Sequence, residues 1–403
     1  MGPISIGPLF FGSGGPSRST ATMDTVVVGA GVFGAWTAWQ LRRQGQRVLL
    51  LDTAGPANAR ASSGGESRLT RTIYGADRVY TRMAQESLED WRWLSGRSGL
   101  PVFHATGVLM FFSRKEEFAE QSIETHRQLG WPLEILDRLE LERRYPQVAW
   151  DGVEFGLFQP DYGALMARRA VQTLVADFVA AGGEYRQATV AAPSGTVRIA
   201  GLRTSTGDEL RARDYVFACG PWLPKLFPEL LGRRIFPTRQ EIFFFATPRG
   251  DDRFLPQRLP AWVDFNRGHM YYGFPDLESR GFKLANDQHG PRFDPDEGDR
   301  QVTAAGLADV RGYLERRFPV LAGQPLVETR VCQYENSSSG DFLIDRHPQL
   351  ENAILLGGGS GHGFKHGPAV GRYAADLVSG VLATPESRFS LASKGDVQKR
   401  EVH

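Results

Sequence analysis

An α/β fold, with a helix-covered parallel sheet beside a mostly antiparallel one, is what the sequence predicts. Three stretches predict it. DTVVVGAG, a helical run and RVLLLD stand near the start, an aromatic-rich series of strands extends from Arg234 to Phe282, and NAILLGGGSGHGFKHGPAVGRYAADLVSG stands near the end. The first is a β-α-β unit: an apolar strand (Asp24–Gly31), a glycine turn, a helix from about Gly31 to Gly45 and a second apolar strand (Arg47–Asp52).

A loop rich in Ser and Gly (Ala57–Ser67) comes next, then the amphipathic stretch YTRMAQESLEDWRWL. An alternating segment near Gly107–Phe112 and basic-acidic helical patterns to Tyr145 predict a region of sheet plus helix. DYVFACGPW (Asp214–Trp222) reads as a buried strand ending in a turn. IFPTRQEIFFFAT, AWVDFN, HMYYGFP and GFKLA are enriched in aromatic and β-branched residues between turn signals, which predicts the antiparallel sheet. A helical stretch (Val302–Phe318) separates it from a final strand, glycine loop and helix with Pro368 at its first position and Gly380 at its end. The expected division is a disordered leader (1–22), a discontinuous domain built on the parallel sheet (23–95, 150–230, 331–390), a second domain built on the antiparallel sheet (96–149, 231–330) and a tail (391–403).

Composition narrows the function. The 403 residues exceed the usual single-domain size, so more than one domain is expected. Lys plus Arg (47) nearly cancels Asp plus Glu (46), which gives no reason to expect a nucleic-acid or anionic-membrane partner. No apolar run is long enough to span a bilayer. Two cysteines, Cys219 and Cys332, exclude a disulfide framework and point to a reducing cytoplasm. The first 22 residues lack the basic and apolar regions of a secretory signal, and Met23 reads as the functional start. No residue spacing reads as a metal site.

Gly29, Gly31 and Gly34 form G-x-G-x-x-G directly after the first strand. The first glycine permits the tight turn, the second lets backbone N–H groups approach a pyrophosphate, and the third lets the helix pack close to the sheet. Asp52 ends the next strand about 20 residues on, where an acid binds the adenosine ribose. Strand, helix and acid in register predict a Rossmann-like dinucleotide site, and the acid argues against a 2′-phosphate.

Four further segments bear on which dinucleotide is bound: SSGGESRLTR (Ser62–Arg71), YYGFPDLESRGFK (Tyr271–Lys283), VCQYENSSSGDFLIDRHP (Val331–Pro348) and GGGSGHGFKHGP (Gly357–Pro368). In order and spacing they resemble the monomeric sarcosine oxidase family, which includes N-methyltryptophan, pipecolate and fructosyl amino acid oxidases. The resemblance extends from about Thr25 to Gly380. It implies an FAD-binding domain of glutathione-reductase-like topology and a substrate domain whose sheet covers the flavin. It implies an oxidase of a small secondary or primary amino acid that passes hydride from the C–N centre to flavin N5, releases an imine for hydrolysis and reduces molecular oxygen to hydrogen peroxide. A monomer acting on a small amino-acid or amine substrate is the expectation. The alternatives are a dehydrogenase that passes electrons to a quinone or carrier, and a flavin-holding protein without catalysis.

Particular residues carry both a plain reading and one the resemblance implies. Cys332 alone is a small buried hydrophobe; the resemblance makes it the covalent thioether link to the flavin. Cys219 has no match and reads as core. Backbone N–H groups of the Gly357–Gly367 loop, with Gly359, Gly361 and Gly363, suit the negative charge of a reduced flavin. Lys365 in that loop is an exposed lysine, a cation that adds to this cofactor-binding loop or, by resemblance, a ligand of the substrate carboxylate. Arg68 and Arg71 are two exposed arginines on a helix turn or, by resemblance, a flavin contact and a bidentate carboxylate clamp. By resemblance Ser63 belongs to the same flavin-contacting loop.

Lys283 sits between apolar neighbours, so it either snorkels out of the sheet or is buried for a purpose. By resemblance it stands near flavin N5 and promotes electron transfer to oxygen. Tyr272 and Tyr334 are core aromatics or pocket walls. One departure matters: where sarcosine oxidases carry a histidine four residues past the lysine, this chain has Asp287, and their paired loop histidines are Ser63 and Gly64 here. The frame of the site is kept while positions set for specificity change, so sarcosine is not assigned as substrate.

Overall fold

The structure, a computed structural model, describes residues 22–266 and 269–398. Most of the expected leader and the end of the expected tail lie outside the described residues. Two large sheets organise the rest. A six-stranded sheet runs in the order Leu343–Arg346, Ala353–Gly357, Ala212–Phe217, Met23–Val28, Val48–Asp52, Glu184–Gln187. All its pairings are parallel except that of Leu343–Arg346 with Ala353–Gly357.

Parallel strands need crossovers, and the first is the helix Val32–Arg43. Gly29 takes φ +103 and a Cβ at Gly34 would lie 1.9 Å from the Gly29 carbonyl oxygen, so the motif glycines are required by turn and packing. The helices Val32–Arg43, Arg78–Arg97, Ala167–Ala180 and Gly367–Val378 contribute to one apolar core on that sheet. The last helix begins one residue before the position expected from Pro368, because a 3₁₀ turn over Gly363–His366 leads into it and places Pro368 second. Gly380 follows its end with φ +74.

The second sheet has eight strands, in the order Leu326–Ser337, Ile235–Phe245, Phe282–Asn286, His269–Phe274, Ala261–Asn266, Val108–Phe112, Phe155–Gln159, Glu134–Asp137. Only the Ala261–Asn266 with Val108–Phe112 pair is parallel. The helix Ala304–Arg317, capped by the Thr303 hydroxyl on the Gly306 N–H, packs under it. Phe155–Gln159 therefore belongs to this sheet, whereas the sequence division at 149/150 puts it with the nucleotide domain. Leu391, placed by the sequence in a tail, is buried, and its N–H donates to Asp345 Oδ2.

A small three-stranded sheet (Ser67–Thr70, Gly163–Met166, Phe103–His104) carries Arg68 in one of its strands and Arg71 directly after it. This overturns the helix-turn reading of both arginines. The backbone of Ser67–Thr70 finds its partner in Gly163–Met166, about a hundred residues on, which no local pattern reveals. No helix among the described residues is long and apolar enough to cross a membrane.

Candidate active site

The G-x-G-x-x-G turn opens onto a cleft of about 440 Å³ lined by Gly29, Gly31, Asp52, Ser63, Cys219 and Trp222, within the size range of cofactor sites. Asp52 accepts the Ala30 N–H through Oδ2 and the Ala54 N–H through Oδ1, both at 2.9 Å, and burial pushes its carboxyl above the usual range. Cys219 borders this cleft at the end of its strand, with its thiol pushed up by burial.

A second cavity continues from Gly31 and Ser63 past Arg68 to Cys332, Tyr334, Glu335, Gly359, Gly361, Gly363 and Phe364. Here the Ser62–Arg71 loop is sewn to the strand Leu326–Ser337. The Ser62 hydroxyl donates to the Gln333 carbonyl at 2.9 Å, and Gln333 Nε2 donates to the Arg60 carbonyl at 2.7 Å. Ser63 Oγ accepts the Val32 N–H at the start of the first helix, at 3.1 Å. Arg68 donates to the carbonyls of Ser67 and Ser62 at 2.9 and 2.6 Å, and its guanidinium lies 3.6 Å from Cys332 Sγ. The glycines keep the cavity open: a Cβ at Gly361 would meet the Tyr334 ring at 2.9 Å and one at Gly363 would meet Phe33 at 2.9 Å.

Two buried oxygens, Gln333 Oε1 and Glu335 Oε1, line this cavity without a hydrogen-bond partner among the described residues. Buried acceptors left unmatched are costly. The donors they lack are of the kind that ribityl hydroxyls and a flavin ring N–H carry. Cleft, glycine turn, terminal acid and orphaned acceptors together fit FAD.

A third cavity, of about 70 Å³, shares Arg68, Cys332, Tyr334, Gly361 and Phe364 with the second. Arg71, Lys365, Asp287, Tyr272, Gln240, Met270 and His362 also line it. Arg71 is 6 % exposed and Lys365 4 %, so neither is the solvated cation that an isolated loop residue would be. Arg71 donates to the Ile73 carbonyl and stacks 4.5 Å over the Tyr74 ring. Lys365 Nζ donates to the Tyr74 hydroxyl at 2.8 Å and to the His362 carbonyl at 2.9 Å. Burial, then the neighbouring Arg71, pushes Lys365 well below the usual lysine range.

Asp287 faces these cations, and the Tyr334 hydroxyl donates to its Oδ1. Burial raises its carboxyl to about 6, opposed by Tyr334, Arg71, Lys365 and Lys283. Tyr272 is pushed up chiefly by burial. Lys283, only 2 % exposed, donates from Nζ to the Ser67 carbonyl at 2.8 Å and the Ser67 hydroxyl at 3.1 Å. It lies 4.7 Å from the Phe274 ring centre, and burial followed by repulsion from Arg68 depresses its pKa strongly.

Sequence reasoning missed three contributors. Glu335, raised to about 8 by burial, directly follows Tyr334, and a carboxylate inside a strand was a visible signal. Tyr74 contacts Lys365, His362 Nδ1 (3.1 Å) and His366 Nε2 (2.8 Å), which ties the glycine loop to the arginine loop. Ser67 holds Lys283. Tyr74 and Ser67 carried no local signal, because their partners lie more than 200 residues away.

Comparison with known proteins agrees with this geometry. The family described as FAD dependent oxidoreductase (DAO) matches residues 24–377. Monomeric sarcosine oxidase of Bacillus sp. (strain B-0618) is 29% identical over 395 residues, covering 94% of this chain and 99% of its own length. N-methyl-L-tryptophan oxidase of Salmonella heidelberg (strain SL476) is 29% identical, covering 89% and 95%. Among solved structures, L-proline dehydrogenase from P. horikoshii superimposes with a TM-score of 0.80 at 20% identity, covering 91% and 96%, a likeness of fold.

Proposed function

The chain belongs to the DAO family of FAD-dependent oxidoreductases, and from that premise we propose that it is an oxidase of a small amino acid, acting at the C–N bond. The observation that carries the reading is the placement of two buried cations, Arg71 and Lys365, opposite the Asp287 carboxylate in a cavity that opens onto the flavin pocket. Two buried cations facing one carboxylate leave an excess of positive charge that a bound anion would offset. A substrate carboxylate answers Arg71 and Lys365, while Asp287 answers an amine. The likeness to proteins named sarcosine and N-methyltryptophan oxidases supports the same class.

FAD held in this pocket would supply the hydride acceptor and the two-electron chemistry that reduces oxygen to hydrogen peroxide. The protein's part is positional and electrostatic. Arg71 and Lys365 fix the carboxylate, which orients the amine and its α-carbon toward the face walled by Tyr272 and Tyr334. Asp287, with Tyr334 donating to it, takes the proton that the substrate ammonium must lose before hydride leaves its carbon. Lys283 stands on Ser67 as the cation for the oxygen step. Asp52 and the glycine turn hold the adenosine and pyrophosphate.

The clamp is tested by comparing an amino acid with its methyl ester in anaerobic reduction of the flavin. A charge-assisted pair of this kind contributes about 1.5–3 kcal/mol, or roughly 10- to 150-fold in binding. The ester and the Arg71→Ala variant should each lose that much; an ester that binds and reduces as well as the acid would make a simple amine the better substrate.

Cys332 is proposed as the covalent anchor, since its sulfur lines the flavin cavity next to Arg68. Acid-denatured wild type should keep its yellow chromophore on a gel, and Cys332→Ser should release it. Chromophore lost from the wild type would rule the link out.

A further inference from the structure

Beyond the two cavities, a line of indole rings connects the flavin pocket with the protein surface. Phe364 lines both cavities, and Trp91 stacks on it with ring centres 5.4 Å apart and planes 11° from parallel. Trp91 meets Trp36 at 5.4 Å, Trp36 meets Trp39 at 5.4 Å and Trp93 at 6.4 Å, and Trp39 meets Trp93 at 4.8 Å. Trp36 and Trp91 are fully buried, whereas Trp93 is 36% exposed. The helices Val32–Arg43 and Arg78–Arg97 supply the four rings, two from each.

Packing alone does not account for the choice of residue. The Trp36 N–H is buried with no acceptor among the described residues, a cost that phenylalanine would avoid. The acceptors instead form a graded series. Trp91 Nε1 donates to the Lys365 carbonyl at 2.8 Å, Trp36 Nε1 to no acceptor among the described residues, and Trp39 Nε1 to the Asp177 carboxylate at 2.8 Å. A carbonyl cannot take a proton from an oxidised indole, and an absent acceptor cannot either, so a hole on the two inner rings stays mobile. At the outer end Asp177, whose other oxygen holds Arg97 at 2.6 Å, and solvent are the groups able to take the proton. Arg43, 4.8 Å over Trp39, and Arg97, 5.2 Å over Trp93, oppose lasting positive charge there, which favours discharge over storage.

We propose that Trp91, Trp36, Trp39 and Trp93 form a one-electron relay through which a thiol in solution reduces the light-excited flavin. One electron leaves Trp91 for the flavin, each indole is refilled by the next outward, and a thiol at Trp93 supplies the last electron. Two rounds oxidise two thiols to one disulfide, and the flavin gains the two electrons and the thiols' protons. The relay needs bound FAD but no amine substrate, so it stands apart from the substrate assignment.

The test uses the flavin-loaded protein without amine, under anaerobic blue light with dithiothreitol. Flavin bleaching and a transient tryptophanyl radical signal are recorded. Wild type should bleach and show the radical. Trp36→Phe should lose both, and Trp93→Phe, an exposed position that preserves the fold, should lose the thiol dependence of bleaching while its turnover of amine is unchanged. Flavin content of each variant, measured in the dark, separates a broken relay from a misfolded protein. Trp222, which borders the dinucleotide cleft, and Tyr334, which lines the flavin cavity, are competing donors. Thiol-dependent bleaching that persists in Trp36→Phe and Trp93→Phe, or that vanishes only in Trp222→Phe or Tyr334→Phe, overturns the proposal.

Discussion

Lys283→Met should slow reoxidation of the reduced protein by oxygen roughly 10²–10³-fold, the loss seen when one preorganised electrostatic group is removed from a dry site. Anaerobic reduction by substrate should change far less. The argument starts from burial: Lys283 is 2 % exposed, its Nζ is fixed by Ser67, and its pKa is pressed well below the usual lysine range. A cation there is therefore unstable on its own and becomes favourable when negative charge develops on dioxygen beside it. The sign of the pH dependence follows. The oxygen reaction should weaken as pH rises through a value below the usual lysine pKa, as the proton is lost, and this limb should be missing in the methionine variant. Stopped-flow reoxidation, with peroxide compared against dye reduction, measures it. Equal losses in both half-reactions would move Lys283 out of the oxygen step, and dye reduction without peroxide would favour a dehydrogenase.

Asp287→Asn should slow flavin reduction by substrate roughly 10²–10⁴-fold, the usual contribution of a positioned general base. Burial holds this carboxyl at about 6, so above that pH it is ionised and able to accept the substrate's proton. Wild-type reduction should rise with pH through about 6 and the asparagine variant should lack that rise. Binding of a small carboxylate inhibitor should show the opposite trend. Protonating Asp287 below about 6 removes a negative charge that repels the inhibitor, so affinity should increase as pH falls, by about tenfold for each pKa unit of coupling. A reduction rate that keeps the same limb in Asp287→Asn would leave Asp287 as a wall of the cavity and put the proton in solvent.

The sequence by itself determined the elements whose causes are local. The G-x-G-x-x-G turn, the helix it opens and Asp52 lie within one β-α-β unit, and glycine geometry over a few residues leaves the chain little alternative. The strands between Arg234 and Phe282 were legible because alternation and aromatic content are also local properties. The plain reading of Arg68 and Arg71 as a helix turn fails because the strand Ser67–Thr70, which carries Arg68 and ends just before Arg71, is completed by Gly163–Met166. The tertiary structure alone decided which charges meet. Arg71, Asp287 and Lys365 come from three distant segments, and Asp287 reaches the cavity from the end of a strand whose register is set by its pairing with His269–Phe274. Burial then assigns their chemistry, since desolvation raises Asp287 and depresses Lys365 and Lys283. Desolvation depends on every neighbour that excludes water, and those neighbours are gathered from the whole chain.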